Sequence, residues 1–422
     1  MLQNETLNRL SEGYKFYEAR RKEYDNGDKP LNFRVSPEPL RLKKEENEDI
    51  INLGPIITQF LKVTQELYET DERAQLILNT GKPKDLLNCQ EPNYLFARPD
   101  FILTPDGLKI CEVETSSFGL GVSHLLGQSY HDTGFETLHD QGSIHSYLDT
   151  RMEKVGKLVY TNKTQAYAGQ LEYTAEKIFS NGRANGWTAS HIDSLESSHD
   201  NIYRGFYLSE ALNDLKVKSL IQNKIEDGNV TPSITPQLEE KAILALIWDS
   251  RFENFYRNAL GVVDFDKLRK HIPQTWIVGQ EEFFSEGLPN GISSTINLAT
   301  QSIRNRQFVL KPSGFSEKAS WAEGVHLLQD KSRIEAQRLI QLAMDDKTCL
   351  YIIQKFDRGE KRVCNYESED GTKSLDARWR ITPYYRFDTG ELITGWATGC
   401  EKTDSIHTTS TSINTSFAKE SI

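Results

Sequence analysis

The chain is poor in the features that mark the more easily recognised protein classes. Its 422 residues carry 50 Lys and Arg against 61 Asp and Glu, a formal net charge of −11, so no overall basic excess exists to grip a nucleic-acid backbone. The five cysteines, Cys89, Cys111, Cys349, Cys364 and Cys400, are widely spaced and lack any C-x-x-C pair. That pattern excludes a disulfide-stapled scaffold or zinc ribbon and predicts free thiols in a reducing compartment. No apolar run approaches the roughly 18 residues of a membrane span, and Met1-Leu-Gln-Asn-Glu-Thr-Leu7 has no basic start leading into an apolar stretch. The expectation is a cytoplasmic protein that meets neither membrane nor nucleic acid. A Walker pattern is missing, Ser116 and Ser117 lack a nucleophile-elbow context, and no internal repeat is visible.

What is present suits a globular enzyme of two or three packed units: 37% hydrophobic and 26% charged residues over a length that supports sizeable cores. Residues 4–24 space Leu7, Leu10, Tyr14 and Tyr17 by three and four, predicting an amphipathic helix. Asp49–Thr80 repeats that spacing and stops at Gly81-Lys-Pro83, a helix terminator. From Thr164 to Leu208 helical and strand patterns alternate, giving an α/β layer. Asp227–Pro236 is the best boundary, after which Gln237–Trp248 reads as a strongly apolar helix with Lys241 near its start. Strands are predicted over 271–278, 307–312, 349–356, 377–387 and 392–399, and a helix over Ser332–Met344. The organisation expected is a helical N-terminal segment (1–94), an α/β unit carrying a metal-binding strand and the substrate side (95–236), and a nucleotide-binding unit with closing strands (237–422).

The most informative stretch runs from Arg98-Pro-Asp100 through Pro105-Asp106-Gly107 to Glu112-Val-Glu-Thr-Ser-Ser-Phe-Gly119. Alternating apolar runs around Pro-Asp-Gly predict a hairpin, and period-2 alternation places Glu112 and Glu114 on one face, with Cys111 and Val113 on the other. Two carboxylates on one strand face can hold Mg²⁺, and the small-residue tail lets backbone approach a ligand. Further on, Lys311 leaves an apolar strand into Pro312-Ser313-Gly314, where an ammonium and loop amides can meet phosphate oxygens. Gln354-Lys355-Phe356 ends a buried strand at a polar edge where backbone groups could pair with an adenine ring. On pattern alone, the glutamates also suit a solvated strand face. Arg98 with Asp100 also suits a surface pair, and Arg378 with Arg380 beside Tyr384 and Tyr385 also suits a cation–π face.

Taken together, these islands resemble the circularly permuted branch of the ATP-grasp superfamily, which contains eukaryotic glutathione synthetase and, more loosely, glutathionylspermidine synthetase. The matching text is Arg98-Pro-Asp100, Glu112–Gly119, Lys311-Pro312, Gln354–Phe356 and Arg378-Trp-Arg380. The resemblance implies an ATP-grasp-like α/β (α+β) fold with a nucleotide site between two α+β units. It also implies an ATP- and Mg²⁺-dependent ligase that joins a carboxylate to an amine through an acyl phosphate, its substrates of amino acid, peptide or polyamine class. It makes Glu112, Glu114 and Glu317 the metal ligands. Lys311, Ser313, Gly314, Gln354, Lys355 and Phe356 become the nucleotide contacts, Arg98, Arg378 and Arg380 the catalytic cations, and Ser116 and Ser117 substrate contacts. The branch usually has Asn where Glu114 stands, and its triple glycine after Lys-Pro is absent here. These departures leave a phosphotransferase and a non-catalytic binding protein on the same scaffold as alternatives. Ser313–Ala322 is the expected lid, and the oligomeric state is left open, a homodimer among the options.

Overall fold

A computed structural model describes residues 33–87, 89–116, 118–132, 134–138, 141–181, 183, 186–195, 200–279, 292–319, 324–368, 371–401, 406 and 411–419. The helix expected over residues 4–24, Ser117 and the end of the expected lid lie outside the described residues.

After two short strands, Arg34–Val35 and Leu40–Leu42, the described chain is helical over 44–78, as the spacing over Asp49–Thr80 predicts. Lys44–Thr70 buries Ile50, Leu53, Ile57, Phe60, Leu61, Val63 and Leu67 along one face, and the side chain of Glu46 in its first turn accepts the Lys43 N–H at 2.9 Å. It continues after Asp71, whose side chain caps Glu72–Leu78. The long helix lies on a seven-stranded sheet, close enough for the Tyr385 hydroxyl to donate to the Ile50 carbonyl. At Gly54 the approach is backbone to backbone: a Cβ there would stand 2.0 Å from the Gly390 carbonyl oxygen, so only glycine fits.

The order of that sheet is Arg34–Val35, Ile413–Thr415, Leu392–Cys400, Gly371–Arg386, Phe96–Thr104, Gly107–Glu114, with Lys361–Ser368 joined to Gly371–Arg386. Its pairings are antiparallel except that of Arg34–Val35 with Ile413–Thr415. The expected metal-binding hairpin and the expected closing strands are therefore neighbours in one sheet. Phe101, Leu103, Leu108, Ile110, Trp379, Ile381 and Tyr385 form a core with the long helix, while Phe96, Tyr384 and Ile393 join a second core with Phe118 and residues of a parallel sheet. The Lys361–Ser368 strand has no counterpart among the sequence expectations. It is rich in charge, and its Val363 is 69% exposed, so it lacks the one-sided alternation by which strands are recognised.

A four-stranded antiparallel sheet in the order His326–Leu327, Phe308–Pro312, Tyr351–Lys355, Thr275–Ile277 carries the Lys311 strand. The helix Arg333–Asp345 buries Ala336, Ile340 and Ala343 against it. The parallel sheet runs Trp187–His191, Gly156–Tyr160, Ile202–Gly205, Val230–Thr231. The fold is mixed α/β with a helical N-terminal segment, as expected. Two elements differ in detail. Thr164–Phe179 is helical in three successive pitches, Gln165–Tyr167, Ala168–Tyr173 and a π-turn over Thr174–Phe179. The apolar run 237–248 forms only a short α-helix, Ile243–Leu246, flanked by turns. Residues 242–247 are all buried and apolar, and a stretch with no polar face gives no helical period.

Candidate functional site

The hairpin pairs Arg98 with Glu114 and Asp100 with Glu112, and its register then shifts so that Phe101 opposes Ile110. Cys111 is the extra residue of this bulge. The shift corrects the simple alternation: Ile110 and Val113 enter the core, and Cys111 does not follow them. An extra residue in a ladder leaves backbone groups outside the regular pairing, and the Cys111 carbonyl accepts a hydrogen bond from Lys311 Nζ at 3.2 Å, across 200 residues of sequence. The same ammonium donates to Gln354 Oε1 at 2.8 Å, and Gln354 Nε2 donates to Thr275 Oγ1 at 3.0 Å. Burial lowers the Lys311 pKa from its ordinary value, with Cys111 and Glu112 pulling the other way. The lysine of one sheet is thus seated on the acidic strand of another.

The acidic face is laced with cations. Arg98 Nη2 lies 2.7 Å from Glu114 Oε2 and its Nε 3.4 Å from Asp100 Oδ1, while Arg380 Nη1 lies 3.3 Å from Asp100 Oδ2. Arg98 Nη1 also donates to the Phe118 carbonyl at 2.8 Å, which the Tyr384 hydroxyl shares at 2.6 Å. Burial opposes the charge on Arg98, yet Glu114 and Asp100 leave its pKa well above the ordinary value. Glu112 is bound by a residue outside the expected site: Lys241 Nζ lies 2.5 Å from Glu112 Oε1 and also donates to the Ala319 carbonyl at 3.1 Å. Burial works against the Lys241 charge, and Glu112 then Glu114 raise its pKa above the ordinary value.

Lys241 belongs to a run of charged residues that diverge. Glu239 pairs with the fully buried Arg204 of the parallel sheet, Glu240 pairs with Lys82 behind the N-terminal helices, and Lys241 crosses to the hairpin. Its only signal in the sequence is a charge at the head of an apolar run, which also describes many surface lysines.

The remaining expected residues divide. Ser313 and Gly314 are buried beside Glu240, their hydroxyl and backbone bound to 240–242. Phe315, at φ 40°, inserts into the core of the parallel sheet with Leu86, Val159 and Phe206. The described part of the expected lid, 313–319, is therefore pinned at Phe315, and the Glu317 carboxylate accepts from Asn213 Nδ2 at 3.0 Å instead of joining the hairpin ion pairs. Gln354 is spent on Lys311. The Lys355 N–H donates to the Gln274 carbonyl at 2.8 Å and the Phe356 N–H to the Gln307 carbonyl at 2.9 Å. Those two amides close the sheet, and any adenine contact there would fall to carbonyls or to residues further along. Arg378 stands two residues from Arg380 on the same strand, its aliphatic stem against Gly359. Ser116 is half-buried just past the hairpin, and Phe118 beyond it stacks on Tyr167 at 4.6 Å.

Among the described residues, no group of three or more His, Cys, Asp and Glu is arranged to hold a metal by itself. The donor set nonetheless fits a magnesium ion, which takes one or two protein carboxylates and keeps its other positions for phosphate oxygens and water. Burial raises the Glu114 carboxyl to about 7 against the pull of Arg98, with Glu112 and Asp100 adding like charge. A divalent cation at this face would offset that crowding. No helix among the described residues is long and apolar enough to cross a membrane.

No family model matches the sequence and no curated protein matches it. Among solved structures, the chain is similar to a glutathione synthetase-like effector of Globodera pallida in its apo form, with a TM-score of 0.52, 12% identity and coverage of 98% of this chain and 97% of the other. A looser superposition, with a TM-score of 0.42 and 10% identity over 83% of this chain and 84% of the other, is to a Methylobacillus flagellatus protein provisionally assigned as a gamma-glutamylcysteine synthetase. The first of these likenesses shows the fold, which spans nearly the whole of both chains.

Proposed function

We propose that the chain is an ATP- and Mg²⁺-dependent carboxylate–amine ligase of the permuted ATP-grasp type. The observation that carries this reading is the seating of Lys311 on the Cys111 carbonyl, beside the strand that presents Glu112 and Glu114. An ammonium leaving one sheet, a second from Lys241 and two carboxylates on one strand face form the charge pattern that a metal-bound polyphosphate needs. When bound, Mg-ATP supplies the γ-phosphoryl group that turns a substrate carboxylate into an acyl phosphate, which an amine then converts to an amide with release of phosphate.

The chain's own contributions follow from position. Glu112 and Glu114 would hold the metal, with Asp100 behind them fixed by Arg98 and Arg380. Lys241 and Lys311 would face the phosphate oxygens, each moving from the carboxylate or carbonyl it now holds. Arg98, Arg378 and Arg380 would orient the substrate carboxylate and share its charge as it is transferred. The Phe118–Tyr167 stack lies next to Ser116 on the side of the parallel sheet and would line the acceptor region.

The test is calorimetric titration of the purified chain with ATP, with and without Mg²⁺, followed by an assay of ADP release over a panel of amino acids, peptides and polyamines. Saturable, Mg²⁺-dependent ATP binding and ADP release that needs both a carboxylate and an amine are expected. Failure of Mg-ATP to bind would overturn the reading. A second reading, a binding protein without catalysis, is favoured by one observation: Glu112 and Glu114 each already carry a cation, Lys241 and Arg98. Mg-ATP binding with no ADP release across the panel would support it.

A further inference from the structure

One residue before Lys241, Glu240 forms an ion pair with Lys82 that the proposed chemistry does not use. Lys82 and Glu240 are both buried, their side chains 0% and 1% exposed. The Lys82 ammonium also donates to the Leu78 carbonyl at 2.5 Å, closing the end of the second N-terminal helix. The other oxygen of Glu240 accepts a hydrogen bond from the Ser313 hydroxyl. That hydroxyl is oriented from the far side as well, because its oxygen accepts the Ala242 N–H at 2.7 Å. The Ser313 carbonyl accepts the Lys241 N–H at 3.2 Å, and Glu240 bridges to Gly314.

The backbone of Lys241 is therefore bracketed by Ser313 on both sides, and the bracket is held shut by the Glu240 carboxylate. Gly314 shows how tight the contact is: a Cβ there would lie 2.4 Å from the Glu239 carbonyl oxygen and 2.9 Å from the Glu240 carboxyl carbon. A buried ion pair contributes little net stability over an apolar pair of the same volume, but here each partner is also tied to a second group, Lys82 to the Leu78 carbonyl and Glu240 to the Ser313 hydroxyl. Through Ser313, the residue after the Phe308–Pro312 strand, this pair ties the Lys241 backbone to the strand that carries Lys311.

Resting on the Mg-ATP reading of the site, we propose that Glu240 is a positioning residue: with Lys82 and Ser313 it sets Lys241 and the Lys311 strand at the spacing that grips the polyphosphate of the nucleotide. It touches neither nucleotide nor substrate. Its effect passes through Lys241 and Ser313, and it is therefore felt at the phosphate end and not at the base.

Titration of the full chain with Mg-ATP and, separately, with AMP tests this in the wild type and in Glu240→Gln, Lys82→Arg, Lys82→Met and Ser313→Ala. The expected result is at least a tenfold loss of Mg-ATP affinity in Glu240→Gln and Lys82→Met with AMP affinity unchanged, and recovery to within about threefold of wild type in Lys82→Arg, which restores the cation. Should Glu240→Gln fail to fold, Ser313→Ala removes only the hydroxyl bridge and carries the same comparison. Equal Mg-ATP affinity in wild type and Glu240→Gln overturns the proposal, as does a parallel loss of Mg-ATP and AMP, which marks a merely structural role. A wild-type chain that binds AMP but not Mg-ATP, or binds neither, overturns the reading of the site and the positioning role with it.

Discussion

The Lys241 ammonium lies 2.5 Å from a carboxylate oxygen of Glu112, joining a residue after the parallel sheet to the tip of the acidic strand. In the proposed reaction this lysine and a divalent cation share Glu112. Lys241→Ala should weaken Mg-ATP binding by about 10- to 100-fold, the range for losing one close charge to a phosphate. The Mg²⁺ concentration needed for half-saturation should not rise, since a competitor for Glu112 is gone. Calorimetric titration at several Mg²⁺ concentrations checks both, and a rise in the Mg²⁺ requirement would count against the shared role.

Lys311 tests the other half of the cationic pair. Its ammonium satisfies the Cys111 carbonyl and the Gln354 amide oxygen in a buried setting. Lys311→Met keeps the stem and removes the donors, at a cost to stability of about 1–3 kcal/mol for the acceptors left behind. Mg-ATP binding should fall below detection. Unchanged nucleotide affinity in a folded Lys311→Met protein would remove this residue from the site.

Arg98 holds Asp100, Glu114 and the Phe118 carbonyl together in a nearly closed environment. Arg98→Ala leaves the buried Asp100 to Arg380 alone and removes the arginine from the half-buried Glu114, and should destabilise the fold by about 1–3 kcal/mol. Arg98→Lys retains the charge but cannot fork between the three acceptors, so intermediate stability with strongly reduced turnover is expected. Urea denaturation of both variants measures the difference, and equal midpoints would show that the fork is not what matters.

A pH effect on stability should come from His271. Its Nδ1 lies 2.8 Å from the Leu108 carbonyl and its Nε2 3.6 Å from Asp49. Burial holds the imidazole pKa below its ordinary 6.5, assisted by Lys109 and Lys270 and opposed by Leu108 and Asp49. The unfolded chain then binds the proton more readily than the folded one, so stability is full above pH 6.5 and is lost as the pH falls through the lower folded value. Urea midpoints at pH 7.5 and 5.5 should fall with acid in the wild type and fall less in His271→Gln. The same slope in both would assign the acid sensitivity elsewhere.

Much of this site is written locally. The hairpin is visible because alternation and Pro105-Asp106-Gly107 act over a dozen residues, and the Lys311 and Gln354 strands because short apolar runs end at polar punctuation. Those elements appear in the structure within a few residues of their expected ends. Lys241 was invisible as a partner of Glu112 because an ion pair between residues so far apart leaves no local period. The bulge at Cys111 was invisible because one extra residue does not disturb the apolar count on which strand assignment rests. The Lys82–Glu240 pair was hidden for a different reason. Buried charges are rare, and a sequence reading assigns both residues to solvent.

Successive side chains of Glu239, Glu240 and Lys241 run to the parallel sheet, to the N-terminal helices and to the acidic hairpin. Such a three-way junction ties its contacts to chain length as well as to residue type. A substitution there alters one tie, but adding or deleting a single residue would hand side chains to a neighbour's partner, putting the Glu240 carboxylate opposite Glu112 or the Lys241 ammonium opposite Lys82. Natural variants of this protein should therefore vary in length in the loops on either side of the tripeptide and hold its length constant.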